Sequence, residues 1–247
     1  MKTYIINLPH DNQRREYITN IVSKYAYLKY EILDAVYGKK LTHEETTKLF
    51  DTNTAFKRYG RKLNAGEIGC TLSHFKIYNA LTKSEEPYAL VLEDDITVIR
   101  EFSIIEKMAK DLPNNEPWVL FLSADYWFLN HKIVNKEFSI AKVYDAVGTY
   151  AYIINQAGAE LILSKNRRPS NVADNWSLYR RQGLKLYAAY PYMIDANIES
   201  FESSIEQSTF GENRRQMPLS MLIPAYWNAF VKKVLLKTGR FVSKIRK

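Results

Sequence analysis

Apolar positions along this chain recur at two spacings, and the points where one gives way to the other mark its elements. KTYIINL, near the start, is dense in β-branched and aromatic residues and predicts a first strand that Pro9 and Asp11 end. Tyr17, Ile18, Ile21, Val22 and Tyr25 then recur at helical spacing, and KYEIL (Lys29–Leu33) predicts a second strand closed by DAVYG. A strand–helix–strand opening of this kind belongs to nucleotide-binding α/β folds, although no GxGxxG follows the first strand. Residues 41–58 predict one charged helix. Asn64 with Glu67 three positions later reads as a capping box that starts the next helix, on which Ile68, Leu72, Phe75 and Asn79 share one face. YALVL and WVLFL are short, wholly apolar runs of the kind that form buried strands. Residues 101–111 predict a helix, GTYAYIIN (Gly148–Asn155) a strand followed by a helix through Leu161 and Ile162, and KLYAAYP a last strand stopped by Pro191.

Against this pattern one segment stands out. In ALVLEDDITVI, Glu93, Asp94 and Asp95 follow a buried-type strand directly and are followed by more apolar residues. Three adjacent carboxylates repel, and burying one unpaired costs several kcal/mol (~2–7 for a polar group, more for a charge). Their place at the carboxyl end of a strand is where ligands bind in open α/β sheets. Oxygen-only donors suit Mg²⁺ or Mn²⁺ bridging a nucleotide diphosphate; a solvated turn or a helix N-cap would use the same letters.

Two further segments carry candidate chemistry. On the helix opened by Asn64, Glu67, Cys70 and His74 fall on a common side, because spacings of three, four and seven return to one face. Gly66 and Gly69 are poor interior helix residues, each about 1 kcal/mol worse than Ala, which points to a close approach of backbone or ligand. His74 is either a contact for a phosphate or sugar hydroxyl or a structural histidine. In NVADNW, Asp174 next to Trp176 is either a general base with a raised pKa or the N-cap of a short helix.

Composition narrows the classes. One cysteine in 247 residues excludes an internal disulfide and any cysteine cluster, and fits a reducing compartment. No segment reaches the roughly 20 apolar residues of a membrane span; WVLFLSADYWFL is broken by Asp125. The net charge of +8 suggests nucleic acid until its distribution is read. Lys232, Lys233, Lys237, Arg240, Lys244, Arg246 and Lys247 supply nearly all of it, and the body is close to neutral, which argues against a nucleic-acid partner. In that tail Phe230, Val231, Val234, Leu235, Phe241, Val242 and Ile245 share one helical face opposite the basic residues. The expectation is a main domain at 1–220 and a basic amphipathic helix in 221–247 that lies on an anionic membrane surface.

The order of these segments resembles glycosyltransferase family 25, which includes bacterial lipooligosaccharide galactosyltransferases and collagen galactosyltransferases. INL with Arg14 and Arg15 nearby, DAVYG, GEIGCTLSH (Gly66–His74), LEDD and GTYAYIIN with an aspartate downstream appear in the family's sequence over roughly residues 3–205. The resemblance implies a GT-A-like α/β sandwich with a central mixed sheet, and an inverting transfer of galactose from UDP-galactose with Mn²⁺ or Mg²⁺. It implies Asp95 and Glu93 as metal ligands, and Glu93 and Asp94 as ribose or sugar contacts. Asn7 and Leu8 fall where uracil and ribose would lie, Arg14 or Arg15 beside the nucleotide, and Glu67, Ser73 and His74 among the donor contacts. Asp174 matches the family's aspartate after a Pro-Val pair, although Val172 and Ala173 precede it here, and it becomes the base. SSI (Ser203–Ile205) resembles a late family segment. The acceptor implied is a lipooligosaccharide or other lipid-linked glycan, and the place the inner, cytoplasmic face of the plasma membrane. A non-catalytic nucleotide-sugar or glycan binder on the same fold is the alternative.

Overall fold

The computed structural model describes residues 1–101, 103–197 and 217–243. The chain runs β1 (Lys2–Asn7), α1 (Asn12–Val22), β2 (Lys29–Asp34), α2 (His43–Leu49), α3 (Thr52–Tyr59), α4 (Ala65–Thr82), β3 (Tyr88–Glu93), β4 (Ile96–Val98), α5 (Ile105–Lys110), β5 (Trp118–Phe121), β6 (Tyr126–Ile133), β7 (Ser139–Ala146), β8 (Ala151–Asn155), α6 (Gln156–Lys165), α7 (Trp176–Arg181), β9 (Lys185–Tyr190), β10 (Ile194–Ala196), α8 (Leu219–Lys237) and β11 (Phe241–Val242). A nine-stranded mixed sheet in the order β11-β6-β7-β9-β5-β8-β3-β1-β2 forms the centre, and β4 pairs with β10 in a separate ribbon.

The apolar runs take central places because both of their faces are buried. Successive residues of β3, β5 and β8 enter two different cores: Ala89, Val91, Val119, Phe121, Tyr152 and Ile154 point to one side, and Leu90, Leu92, Trp118, Leu120, Ala151 and Ile153 to the other. Helices α4, α6 and α7 cover the first face through Phe75, Ile77, Leu81, Ile162 and Trp176. Helices α1 and α5 cover the second through Ile18, Val22, Ile105 and Met108. Each such Leu, Ile or Phe contributes about 1.5–3 kcal/mol when fully buried, so this α/β sandwich is held from both sides.

β1 pairs in parallel with both β2 and β3, with Ile6 opposite Leu33 on one side and Glu93 on the other. The carboxyl ends of three neighbouring strands therefore open at the same edge. There the loop after β2 lies directly on α4. A Cβ at Gly69 would sit 2.5 Å from the Val36 carbonyl oxygen and 2.8 Å from the Gly38 nitrogen, so only glycine admits this approach. The capping box that starts α4 is present in full, with Asn64 Oδ1 accepting from Glu67 N–H and Glu67 from Asn64 N–H, both at 2.8 Å.

Three expectations change. The helix expected over 41–58 is two helices, because Phe50 turns inward to full burial and Asp51 caps a new start by accepting from Thr54 N–H at 3.0 Å. Strands β4, β6, β7 and β10 were not expected. Among the described residues the tail is not one continuous helix. Gly239, at φ 71°, ends α8, and Phe241–Val242 add an antiparallel edge strand beside Trp127 and Tyr126 of β6. The apolar face assigned to the tail divides accordingly. Leu235 is buried, Phe241 stacks on Trp127 at 4.5 Å, and Phe230 and Val234 face outward. Lys232, expected on the basic face of the tail helix, pairs with Asp145 at 3.3 Å and sits over the Trp127 ring at 3.7 Å. Ser203–Ile205, Lys244, Ile245, Arg246 and Lys247 lie outside the described residues.

Candidate active site

At the edge where β1, β2 and β3 end, Leu8, Arg14, Ser73, His74, Glu93 and Asp94 line one pocket of about 120 Å³, together with Val36–Lys39 of the loop after β2 and with Gly66 and Cys70 of α4. A larger cleft of about 820 Å³ between α7 and α8 contains none of the candidate residues, so volume alone does not locate the site.

The acids are not a solvated turn. Asp94 is 7% exposed, and both of its oxygens are engaged: Asn7 Nδ2–H donates to Oδ2 at 2.8 Å and Arg14 Nη1–H to Oδ1 at 2.9 Å. The same Arg14 nitrogen lies 3.2 Å from Asp95 Oδ2. The cation between two of the three carboxylates is thus the protein's own guanidinium. Arg14 reaches it because Arg14, Ile18 and Val22 form the buried face of α1. Arg15, one residue on, is exposed and does not line the pocket. Glu93 accepts a hydrogen bond from Thr149 Oγ1–H.

Burial raises the carboxyls of Asp94 and Asp95 above the ordinary aspartate range, and Glu93 pushes in the same direction while Arg14 opposes it. For Asp95 the outcome is a pKa of about 6. A folded-state pKa above the unfolded value of 3.8 means that the fold favours the protonated acid. The ionised carboxylate therefore costs stability that appears as pH rises from about 4 to about 6 and persists above it. Asp95→Asn, without added metal, is expected to be more stable than the parent chain at pH 7 and equal to it at pH 4, as measured by urea unfolding at both pH values.

Asp95 Oδ1 is buried without a hydrogen-bond partner. An open, buried carboxylate oxygen fits one bond to a hard divalent ion. The oxygens of Asp94 are already committed to Asn7 and Arg14, so Asp95 is the acid of the run that fits the metal implied for this site, with Glu93 beside it.

Asp174 is not a helix cap; Asn175 caps α7 by accepting from Leu178 N–H. Asp174 Oδ2 instead accepts from Gly148 N–H at 3.0 Å, and Gly148 O accepts from Trp176 Nε1–H at 2.9 Å. Burial raises its pKa; Gly148 N–H opposes that rise and Glu93 adds to it. Gly148 and Thr149, the first two residues of GTYAYIIN, therefore tie Asp174 and Glu93 to one short loop. Gly148 adopts φ 83°, a conformation that favours glycine. The only sequence signal for this role is a Gly-Thr pair before a buried strand.

Other candidates are placed differently from expectation. Asn7, expected near uracil and ribose, is 1% exposed and holds Asp94. Glu67, expected among the donor contacts, does not line the pocket; it caps α4 and forms a two-point pair with Arg61 at 2.6 and 2.9 Å. Ser73 accepts from Val36 N–H at 2.8 Å and donates to Gly69 O at 2.7 Å, holding the loop after β2 against α4. Tyr37 and Lys39 of that loop line the pocket and were not singled out from sequence.

Comparison with known proteins agrees with the sequence order. The family model described as glycosyltransferase family 25 (LPS biosynthesis protein) matches residues 1–175, which hold every candidate residue. Procollagen galactosyltransferase 1-B of Xenopus laevis is 33% identical over 98 residues, 38% of this chain and 16% of that protein. Procollagen galactosyltransferase 1 of Danio rerio is 26% identical over 174 residues, 66% of this chain and 28% of that protein. The chain thus spans less than a third of the length of these relatives. Among solved structures, the glycosyltransferase GlyE of Streptococcus pneumoniae TIGR4 overlaps 99% of this chain and 66% of its own at 12% identity with a TM-score of 0.42, too loose a likeness to bear on function. With the family match covering well over half of its residues, this chain belongs to glycosyltransferase family 25.

Proposed function

We propose that this protein is an inverting galactosyltransferase that uses UDP-galactose and a divalent Mn²⁺ or Mg²⁺ ion to extend a lipooligosaccharide or related surface glycan. The observation that carries the reading is the convergence of Leu8, the Val36–Lys39 loop, Ser73, His74, Glu93 and Asp94 on one pocket at the ends of three parallel strands, with Asp95 next in the chain and held by the same Arg14. A pocket of about 120 Å³ is smaller than the ~300–1,000 Å³ typical of small-molecule clefts, so it takes one part of the donor and leaves the rest at its open end. Asp95, with Glu93, would hold the ion, which when bound offsets the charge that develops on the departing diphosphate. Asn7 and Arg14 fix Asp94 so that the run keeps its shape while the donor enters. Asp174 takes the proton of the acceptor hydroxyl as that oxygen bonds to the sugar C1 and the bond from C1 to UDP breaks, its electron pair leaving on UDP. Gly148 N–H holds the Asp174 carboxylate during that exchange. The test is UDP release from a panel of nucleotide sugars with short glycan acceptors. UDP-galactose should stand out and turnover should require acceptor; release from no member of the panel contradicts the reading.

The acceptor reading is joined by a surface. Along α8, Leu219, Ile223, Tyr226, Trp227, Phe230 and Val234 are each 44–73% exposed, and their spacing places them on one stripe. Lys233, Lys237 and Arg240 are exposed nearby. An apolar, aromatic stripe edged by cations suits the interface of an anionic bilayer, where each basic residue adds about 1 kcal/mol. No described helix is long and apolar enough to cross a membrane. This would hold the enzyme at the cytoplasmic face, beside a lipid-linked acceptor. Vesicles containing anionic lipid should carry the protein upward in a flotation gradient, and the double variant Trp227→Ser, Phe230→Ser should stay at the bottom. Equal flotation of both proteins refutes this role for the stripe.

A further inference from the structure

His74 holds an unmet bond. Its ring is 1% exposed, Nδ1 lies 2.7 Å from the Tyr152 hydroxyl, and Nε2 is buried with no hydrogen-bond partner. A buried nitrogen left in this state costs about 1–3 kcal/mol. Nε2 lies 3.6 Å from Glu93 Oε1, beyond hydrogen-bond reach. One turn earlier on α4, Cys70 brings its sulfur to the same space. The ligand atoms of Cys70, His74 and Glu93 lie within 4.8 Å of one another.

We propose that Cys70, His74 and Glu93 form a binding site for a cation that prefers thiolate and imidazole, Zn²⁺ or its substitute Co²⁺, at the inner end of the pocket. The donor set selects the ion. Sulfur and nitrogen favour zinc, whereas Mn²⁺ and Mg²⁺ prefer the all-oxygen position at Asp95. Zinc bonds of about 2.0–2.3 Å need the three atoms only somewhat closer than they stand, which rotation of the Cys70 and Glu93 side chains supplies. The surroundings support the ligands. A metal bond to Nε2 requires the proton on Nδ1, and the Tyr152 hydroxyl, 2.7 Å from Nδ1 and 3.0 Å from that of Tyr78, can accept it. Thr149 Oγ1–H steadies Glu93. Such outer partners orient metal ligands throughout known sites. On binding, the Cys70 thiol releases its proton to solvent as the metal–sulfur bond forms, and the thiolate with the Glu93 carboxylate balances the charge of the ion. Three protein ligands leave a fourth position, and since all three residues line the pocket, that position opens towards it. Zinc here would occupy space that the nucleotide sugar needs and would inhibit transfer.

The site stands or falls without any turnover assay. Metal-stripped full-length protein is titrated with Co²⁺ alone and its absorption recorded. The expected result is a near-ultraviolet sulfur-to-cobalt charge-transfer band that Zn²⁺ abolishes. Cys70 is the chain's only cysteine, so the band has one possible source. Cys70→Ser should lose it, His74→Gln should weaken Co²⁺ binding at least ~10-fold, and Asp95→Asn should retain it. Absence of the band from the parent protein, or its survival in Cys70→Ser, overturns the proposal. If circular dichroism shows that Cys70→Ser has not folded, the parent spectrum and His74→Gln decide: unchanged Co²⁺ affinity in His74→Gln also overturns it.

Discussion

Asp174→Asn is expected to lower the transfer rate by about 10²–10⁴-fold, the range that a positioned general base contributes. Asparagine keeps the carbonyl oxygen that accepts from Gly148 N–H, so the Val147–Tyr150 loop should stay in place and the affinity for UDP-galactose should change little. The loss should therefore fall on kcat rather than KM. Burial raises the Asp174 pKa, so the base is protonated and idle at low pH and becomes active as pH rises through that value. The parent enzyme should show an acidic limb in its kcat–pH profile displaced upward from that of an ordinary aspartate, and Asp174→Asn should lack that limb. A variant that keeps both rate and limb assigns the base elsewhere.

Arg14→Met should destabilise the protein by about 3–5 kcal/mol at pH 7, the range for removing one partner of a buried ion pair. Methionine replaces much of the aliphatic stem, so the loss is electrostatic. The side chains of Arg14 and Asp94 are each only 10% exposed, and water does little to screen them. Without the guanidinium, Asp94 and Asp95 face one another and Glu93 with no cation from α1. The penalty is present while those carboxylates are ionised and fades as pH falls through their raised pKa values. Urea unfolding at pH 7 and pH 4 reads both parts. A loss below 1 kcal/mol at pH 7, or one that does not shrink on acidification, would show that Arg14 is not the counter-ion of the run.

How much of this was legible in the sequence follows from distance along the chain. β3 and the acids at its end, and the capping box of α4, are local patterns and read correctly. The pairing of Arg14 with Asp94 joins residues far apart in the chain, and no spacing announces it. One clue was present: position 14 shares a helical face with Ile18 and Val22, which are plainly core. The family resemblance implies Asn7 and Glu67 as ligand contacts, yet their side chains are spent on Asp94 and Arg61. In the tail, apolar spacing favoured one long helix. Gly239 two residues after Lys237 was the stop signal, and the edge of β6 that accepts Phe241–Val242 lies more than a hundred residues earlier, outside any local window.

The central claim, that the Glu93–Asp95 run serves transfer from a nucleotide sugar, is tested most directly by UDP release from UDP-galactose with Mn²⁺ and a glycan acceptor, the parent chain against Asp95→Asn. The account predicts acceptor-dependent release by the parent and a loss of at least ~10²-fold in a variant that is folded and, at pH 7 without metal, more stable. Equal release by the two proteins would contradict it.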